Sequence, residues 1–126
     1  MKSIWICIVL SFLIIVLIVV PHIFITNTTH EIRELLKSAD SAVEAEDWQQ
    51  AVKLCKDTSQ RWEKYTPLYE MIVEHQEVDE IIMSIRQLER FAAEKEKPEA
   101  RALISELDFL INHLRETDNL SIENIF

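Results

Sequence analysis

Hydrophobic positions along the chain form one unbroken block followed by four spaced series. Residues 4–20, IWICIVLSFLIIVLIVV, contain no charge, and PHIFI extends the apolar run to residue 25. A helix needs about 20 residues to cross bilayer hydrocarbon, and this run supplies about 22. It is apolar on every side, whereas a surface helix of a soluble domain keeps one polar face. The run is longer than the core of a cleaved signal peptide, and no small-residue cleavage site follows it. The pattern predicts a transmembrane anchor over residues 1–25 and a separate domain over residues 26–126.

Beyond the run, apolar residues recur four times at helical spacing. Ile32, Leu35, Leu36, Ala39, Ala42 and Val43 predict a helix from about residue 29 to 45, opened by a Thr28/Glu31 capping box. Asp47, with Gln50 three residues on, predicts the start of a second, from about 48 to 65. Its face carries Ala51, Leu54, Thr58 and Tyr65, bordered by a line of Trp48, Cys55 and Trp62. Thr66-Pro67 predicts the start of a third, running to about 94. The apolar face of this third helix drifts, from Leu68, Tyr69, Ile72, Ile82 and Met83 to Val78, Ile81, Ile85, Leu88 and Ala92. Such a drift predicts a spine packed against different neighbours at its two ends. Pro98 and Glu99 open the fourth, whose core face is Ala100, Leu103, Ile104, Leu107, Leu110, Ile111 and Leu114. Ile122, Ile125 and Phe126 are expected to fold back onto the bundle.

The second and fourth helices share a pattern. Ala51, Leu54, Cys55, Thr58, Trp62 and Tyr65 match Ala100, Leu103, Ile104, Leu107, Ile111 and Leu114 at a shift of 49 residues. This weak repeat suggests two helical hairpins stacked in series.

Composition sharpens the fold class. The 126 residues include no glycine and three prolines. Tight β-hairpin turns depend on glycine, so the expected class is all-α. Charge sharpens the topology. Lys2 and the α-amine flank the N-terminal end of the run, and positive charge is retained in the cytoplasm. The N-terminus is therefore expected inside the cell membrane and the domain outside. The chain carries 13 basic and 22 acidic residues, a net charge of −9. This balance weighs against nucleic acid, which requires basic stripes. Cys7 lies in the apolar run and Cys55 on the domain's core face, so no internal disulfide is expected.

Two resemblances follow from particular stretches. EDWQQAVKLCKDTSQRWEKYTP resembles the second half of a tetratricopeptide unit, through Asp47-Trp48, Ala51 and the closing Pro67. Glu46 stands where that family usually has glycine, and the likeness implies helical-hairpin geometry. The whole chain resembles a family of small single-span proteins of Gram-positive, spore-forming bacteria. The shared features are the N-terminal run, the paired tryptophans, EHQEVDEI and the ending SIENIF. That family is catalogued as domain-of-unknown-function family 4363. The resemblance implies an architecture and a kind of cell, with no activity and no catalytic residues.

Candidate chemistry is sparse. On one long third helix, His75 and Asp79 turn toward the apolar side of Ile72 and Ile82. Spaced i, i+4, they could supply part of a metal site, but a site needs at least three ligands, and no H-E-x-x-H accompanies them. A buried, mutually satisfied packing pair is the simpler expectation, with a pH-sensitive variant because histidine titrates near neutrality. Trp48, Trp62 and Tyr65 are expected in the core, or else lining a groove. Phe109 and His113, on the outer side of the fourth helix, form a candidate contact surface. No catalytic set and no cofactor are implied. Two functions are carried forward. One is a non-enzymatic interaction module bound to another envelope protein. The other is a small-ligand, metal or pH sensor using a cleft around Trp48, Trp62, His75 and Asp79.

Overall fold

The computed structural model describes residues 1–125, and the side chains of all of these except residues 120–122 and 125. The expected fold-back of Ile122, Ile125 and Phe126 lies outside the described residues. Four α-helices make up the described chain, with no strand among the described residues: α1 (Lys2–Glu44), α2 (Trp48–Glu70), α3 (His75–Ala93) and α4 (Lys97–Ile125).

The helix start expected at Thr28 is absent. The apolar run and the first domain helix form one rod of 43 residues, about 65 Å long at 1.5 Å per residue. Thr28 and Thr29 turn their hydroxyls back onto their own helix instead of capping a new one. Thr28 Oγ1 donates to the carbonyl of Phe24 at 2.7 Å, and Thr29 Oγ1 to that of Ile25 at 2.5 Å. This i−4 bonding satisfies a threonine inside a helix. Pro21 also lies within α1, where it cannot donate to the carbonyl of Leu17.

The boundary expected at Thr66-Pro67 is absent as well. Pro67 sits inside α2 on an exposed position, and Thr66 Oγ1 donates to the carbonyl of Trp62 at 2.8 Å. The carbonyl that loses a partner to the proline ring is that of Glu63, on an exposed residue where water can serve it. The chain turns later, through Met71–Glu74, with Ile72 and Val73 donating to the carbonyl of Tyr69. The drifting apolar face thus belongs to two helices meeting at a turn, and the single long spine is corrected to α2 and α3.

Asp47 caps α2 as expected, its carboxylate accepting from the Gln50 amide at 3.4 Å. The helices pack α1 on α2, α2 on α3, α3 on α4 and α4 back on α1. Two hairpins, α1–α2 and α3–α4, therefore lie together with both edges paired. Each helix turns a strip of small and branched side chains inward. The buried set includes Ile32, Leu36, Ala39 and Val43 from α1, and Ala51, Cys55 and Trp62 from α2. From α3 come Val78, Ile81, Ile85 and Leu88, and from α4 Ala100, Ile104, Leu107 and Ile111. At a shift of 49, buried Ile32, Leu36, Ala39 and Val43 meet buried Ile81, Ile85, Leu88 and Ala92. The repeat seen in α2 and α4 thus extends to α1 and α3.

The two hairpin turns repeat too. Each closes with paired backbone bonds: Glu46 N–H to Val43 and Asp47 N–H to Ala42, then Lys95 N–H to Ala92 and Glu96 N–H to Phe91. These are Schellman closures, which place one residue in the left-handed region that favours glycine. In this glycine-free chain Glu46 and Lys95 occupy it, both at φ 60°. A side chain there costs about 1–2 kcal/mol, partly offset by glycine's larger entropy loss. Lys95→Gly is therefore expected to raise stability by about 0.5–1 kcal/mol. Glu46→Gly acts in the same direction less the weak surface pair with Lys97 at 3.7 Å. Thermal melts of the full chain in mild detergent check this; lower midpoints for both variants would contradict the turn geometry.

Candidate functional site

The alternating directions of the helices place the end of α2, the start of α3 and the last turns of α4 beside the point where α1 leaves its apolar run. At that end Phe24 stands edge-on to Tyr65, with ring centroids 5.8 Å apart, and tilts against Tyr69 at 5.2 Å. Tyr69 in turn packs on Trp62 at 4.8 Å. Aromatic pairs at such distances add stabilisation beyond their buried area. The Tyr69 hydroxyl meets Thr28 Oγ1 at 2.5 Å. Because Thr28 already donates to Phe24, the phenol is the donor here. Burial pushes the Tyr69 phenol up to about 12.

Polar ties run from α1 to its two neighbours. His22 Nδ1 lies 2.7 Å from Asp118 on α4. The Tyr65 phenol donates to Glu31, which also pairs with Arg61 at 3.0 Å. The bond to Glu31 pushes the Tyr65 phenol upward. Arg33 grips Asp108 at 2.8 Å and reaches Asn112 at 3.2 Å, while Arg101 holds Asp40 at 3.0 Å. The carboxylate of Asp108 holds the Arg33 guanidinium further up its range.

Between α1 and α4 these ties border a shallow groove of about 390 Å³, lined in part by His30, Arg33, Lys37, Asp40, Ser105 and Asp108. Its charges are mixed and largely paired with each other, so it presents a polar surface rather than a catalytic centre. The groove lies outside the sites that the sequence pattern predicts. The available signal was a polar stripe at helical spacing on each side: His30, Arg33 and Lys37 on α1, and Arg101, Ser105, Asp108 and Asn112 on α4.

His75 and Asp79 do not form the buried pair expected of them. Both are exposed, and His75 faces Glu70 at 3.7 Å rather than Asp79. The turn at Met71–Glu74 resets the helical phase. The face of α3 that packs is set by Val78, Ile81, Ile85 and Leu88, leaving His75 and Asp79 in solvent. No group of three or more His, Cys, Asp or Glu side chains among the described residues could hold a metal ion.

The aromatic candidates separate. Trp62 is fully buried, and its indole N–H donates to the carbonyl of Val78 at 3.4 Å. Trp48 is half-buried at the far end of α2, some four turns away. Tyr65 is half-buried in the cluster described above. Trp48, Trp62, His75 and Asp79 thus line no common cleft. Phe109 and His113 lie on the outer side of α4, both exposed, with rings stacked at 6.3 Å. Cys55 is buried, and desolvation pushes its thiol up to about 12. A thiol so held has almost no thiolate near neutral pH and is a packing element. Among the described residues, no buried side-chain polar atom lacks a partner.

No curated protein and no solved structure matches the chain. The family model described as "Domain of unknown function (DUF4363)" matches residues 20–125, from the end of the apolar run to the end of α4, and the chain belongs to that family.

Proposed function

We propose that the protein is a single-span membrane protein that holds a non-enzymatic helical interaction module at the outer face of the membrane. α1 is long and apolar enough to cross a bilayer by length and composition, and its apolar window is entirely uncovered by the rest of the chain. Lys2 beside the N-terminus favours an inward amino end, which puts the bundle outside. The resemblance described from sequence suggests the envelope of a Gram-positive spore-former as the setting. The partner proposed is another envelope protein.

The observation that carries the interaction reading is the Phe109/His113 stack. It stands exposed on α4, while the bundle's buried polar groups among the described residues are internally satisfied. Exposed aromatics are enriched at protein–protein contacts. Photo-crosslinking benzoylphenylalanine, placed in the full-length protein in its own cells, tests this. Defined adducts are expected from positions 106, 109 and 113 on the outer face of α4, and none from position 87 on α3. Equal capture at all four positions, or none, would remove this surface from consideration. A melting midpoint that moved with Zn²⁺ and returned with EDTA would favour the sensing alternative instead.

A further inference from the structure

From the position of the α2–α3 turn we infer that the bundle has a second membrane contact: Leu68, Met71 and Ile72 seat into the headgroup boundary of the bilayer that α1 crosses. The inference rests on the reading of α1 as a membrane span.

Among the described residues after residue 25, five large hydrophobic side chains are exposed: Leu68, Met71, Ile72, Met83 and Phe109. Three of the five fall together. Leu68 lies in the last turn of α2 and Met71 and Ile72 in the turn directly after it, so the three fall within five residues at one end of the bundle. Met71 is 82% exposed, the most uncovered large apolar residue of the bundle. Met83 and Phe109 are isolated on other helices.

Height along α1 identifies what the cluster meets. A span of about 20 residues beginning at Ile4 leaves the hydrocarbon near residue 23. The bundle begins at that level, because His22 meets Asp118, Phe24 meets Tyr69 and Ile25 is fully buried. Ile72 and Val73 border a cavity of about 400 Å³ together with Ile25, Leu114 and Asp118. The turn therefore stands level with the last residues of the span, and α1 passes between the two without a break. Water is replaced at that height by headgroups and acyl boundary, where apolar side chains settle about 5–10 Å deep.

The surrounding charge selects the kind of lipid. Glu70, Glu74 and Glu77 flank the cluster, and no lysine or arginine lies between Tyr65 and Ile85. An acidic rim is repelled by an anionic surface, so the contact suits zwitterionic headgroups. A second attachment beside the span would fix the height of the bundle and its rotation about α1. The outer face of α4 would then be presented in one orientation.

The test uses the full chain with Cys7→Ala and one added cysteine: Met71→Cys, Met83→Cys or Phe12→Cys. Each variant carries an environment-sensitive fluorophore and is reconstituted into phosphatidylcholine vesicles. Nitroxide-bearing lipids then report depth. Quenching by a shallow nitroxide is expected to be at least about twofold stronger at position 71 than at 83, the label there sitting at the headgroup boundary. Position 12 is expected to respond to a deep nitroxide. If 71 behaves like 83 while 12 is quenched, the second contact is overturned and the anchor stands. If 12 is not quenched, the span reading fails and the contact fails with it.

Discussion

Trp62→Ala is expected to lower the stability of the bundle by about 3–5 kcal/mol, the range for truncating a fully buried tryptophan. Domains of this size are stable by only about 5–15 kcal/mol, so the loss brings the fold near collapse. The cost has two sources. The indole fills the space between α2 and α3, with no exposed surface and its ring 4.8 Å from that of Tyr69. Its N–H also bonds Val78, tying α2 to the first turn of α3. Trp62→Phe keeps much of the volume and is expected to lose less. Trp48→Ala is the informative contrast. Trp48 and Trp62 border the same face in sequence, yet Trp48 is only half-buried, and its truncation is expected to cost about 1–2 kcal/mol. Urea-induced loss of helical circular dichroism, followed on the full chain in mild detergent, gives both values. Equal losses for the two tryptophans would contradict the core described here.

Raising the pH above 9 is expected to unfold the bundle progressively, with two buried groups responsible. Desolvation pushes the Cys55 thiol from its ordinary 9.0 to about 12 and the Tyr69 phenol from 10.0 to about 12. In the folded protein both keep their protons in this window, while in the unfolded chain they release them. The unfolded state then binds fewer protons, so stability falls as pH rises. The contribution is complete below pH 9 and is lost as pH climbs toward the folded values. Each group contributes a slope of about −1.4 kcal/mol per pH unit, Cys55 from about pH 9 and Tyr69 from about pH 10. Over the full window the combined loss is several kcal/mol, comparable to the whole stability of a small domain. Cys55→Ala is expected to flatten the limb between pH 9 and 10, and Tyr69→Phe to lessen the slope above 10, where Cys55 and the raised Tyr65 phenol still contribute. The slope of unfolding free energy against pH is the measurement to make, because it is insensitive to whatever baseline stability each substitution costs. An unchanged slope in Cys55→Ala would mean the thiol is not held in the core.

How far the candidate site could be read in advance depended on whether local pattern or neighbouring helices governed each residue. Asp47 was legible as a cap because the bond it makes is to an amide three residues away. Cys55 and the core face of α4 were legible because helical periodicity alone assigns them inward. His75 and Asp79 were misplaced because their direction depended on where the preceding helix ended. Thr66-Pro67 has the local chemistry of a helix start, but α2 carries on through it, since the proline sits on the solvent side where a lost backbone bond is cheapest. Once the turn moved to Met71–Glu74, every residue beyond it was viewed on a different phase. The ties from Arg33 to Asp108 and from Arg101 to Asp40 join residues more than 60 positions apart. No local pattern pairs them.

By itself the sequence determined the all-helical build, through the absence of glycine and the helical period of its apolar residues. It also determined a run long enough to span a bilayer, the placement of two turns near Asp47 and Pro98, and the repeat that relates the two hairpins. Tertiary structure alone decided that the apolar run and the first domain helix are one rod, and where α2 stops. It alone separated Trp62 from Trp48, and it alone set the α2–α3 turn level with the end of the apolar run. The division has one physical reason. Propensity, capping and periodicity act over a few residues, whereas helix phase after a break, depth of burial and height along α1 are set by the helices packed alongside.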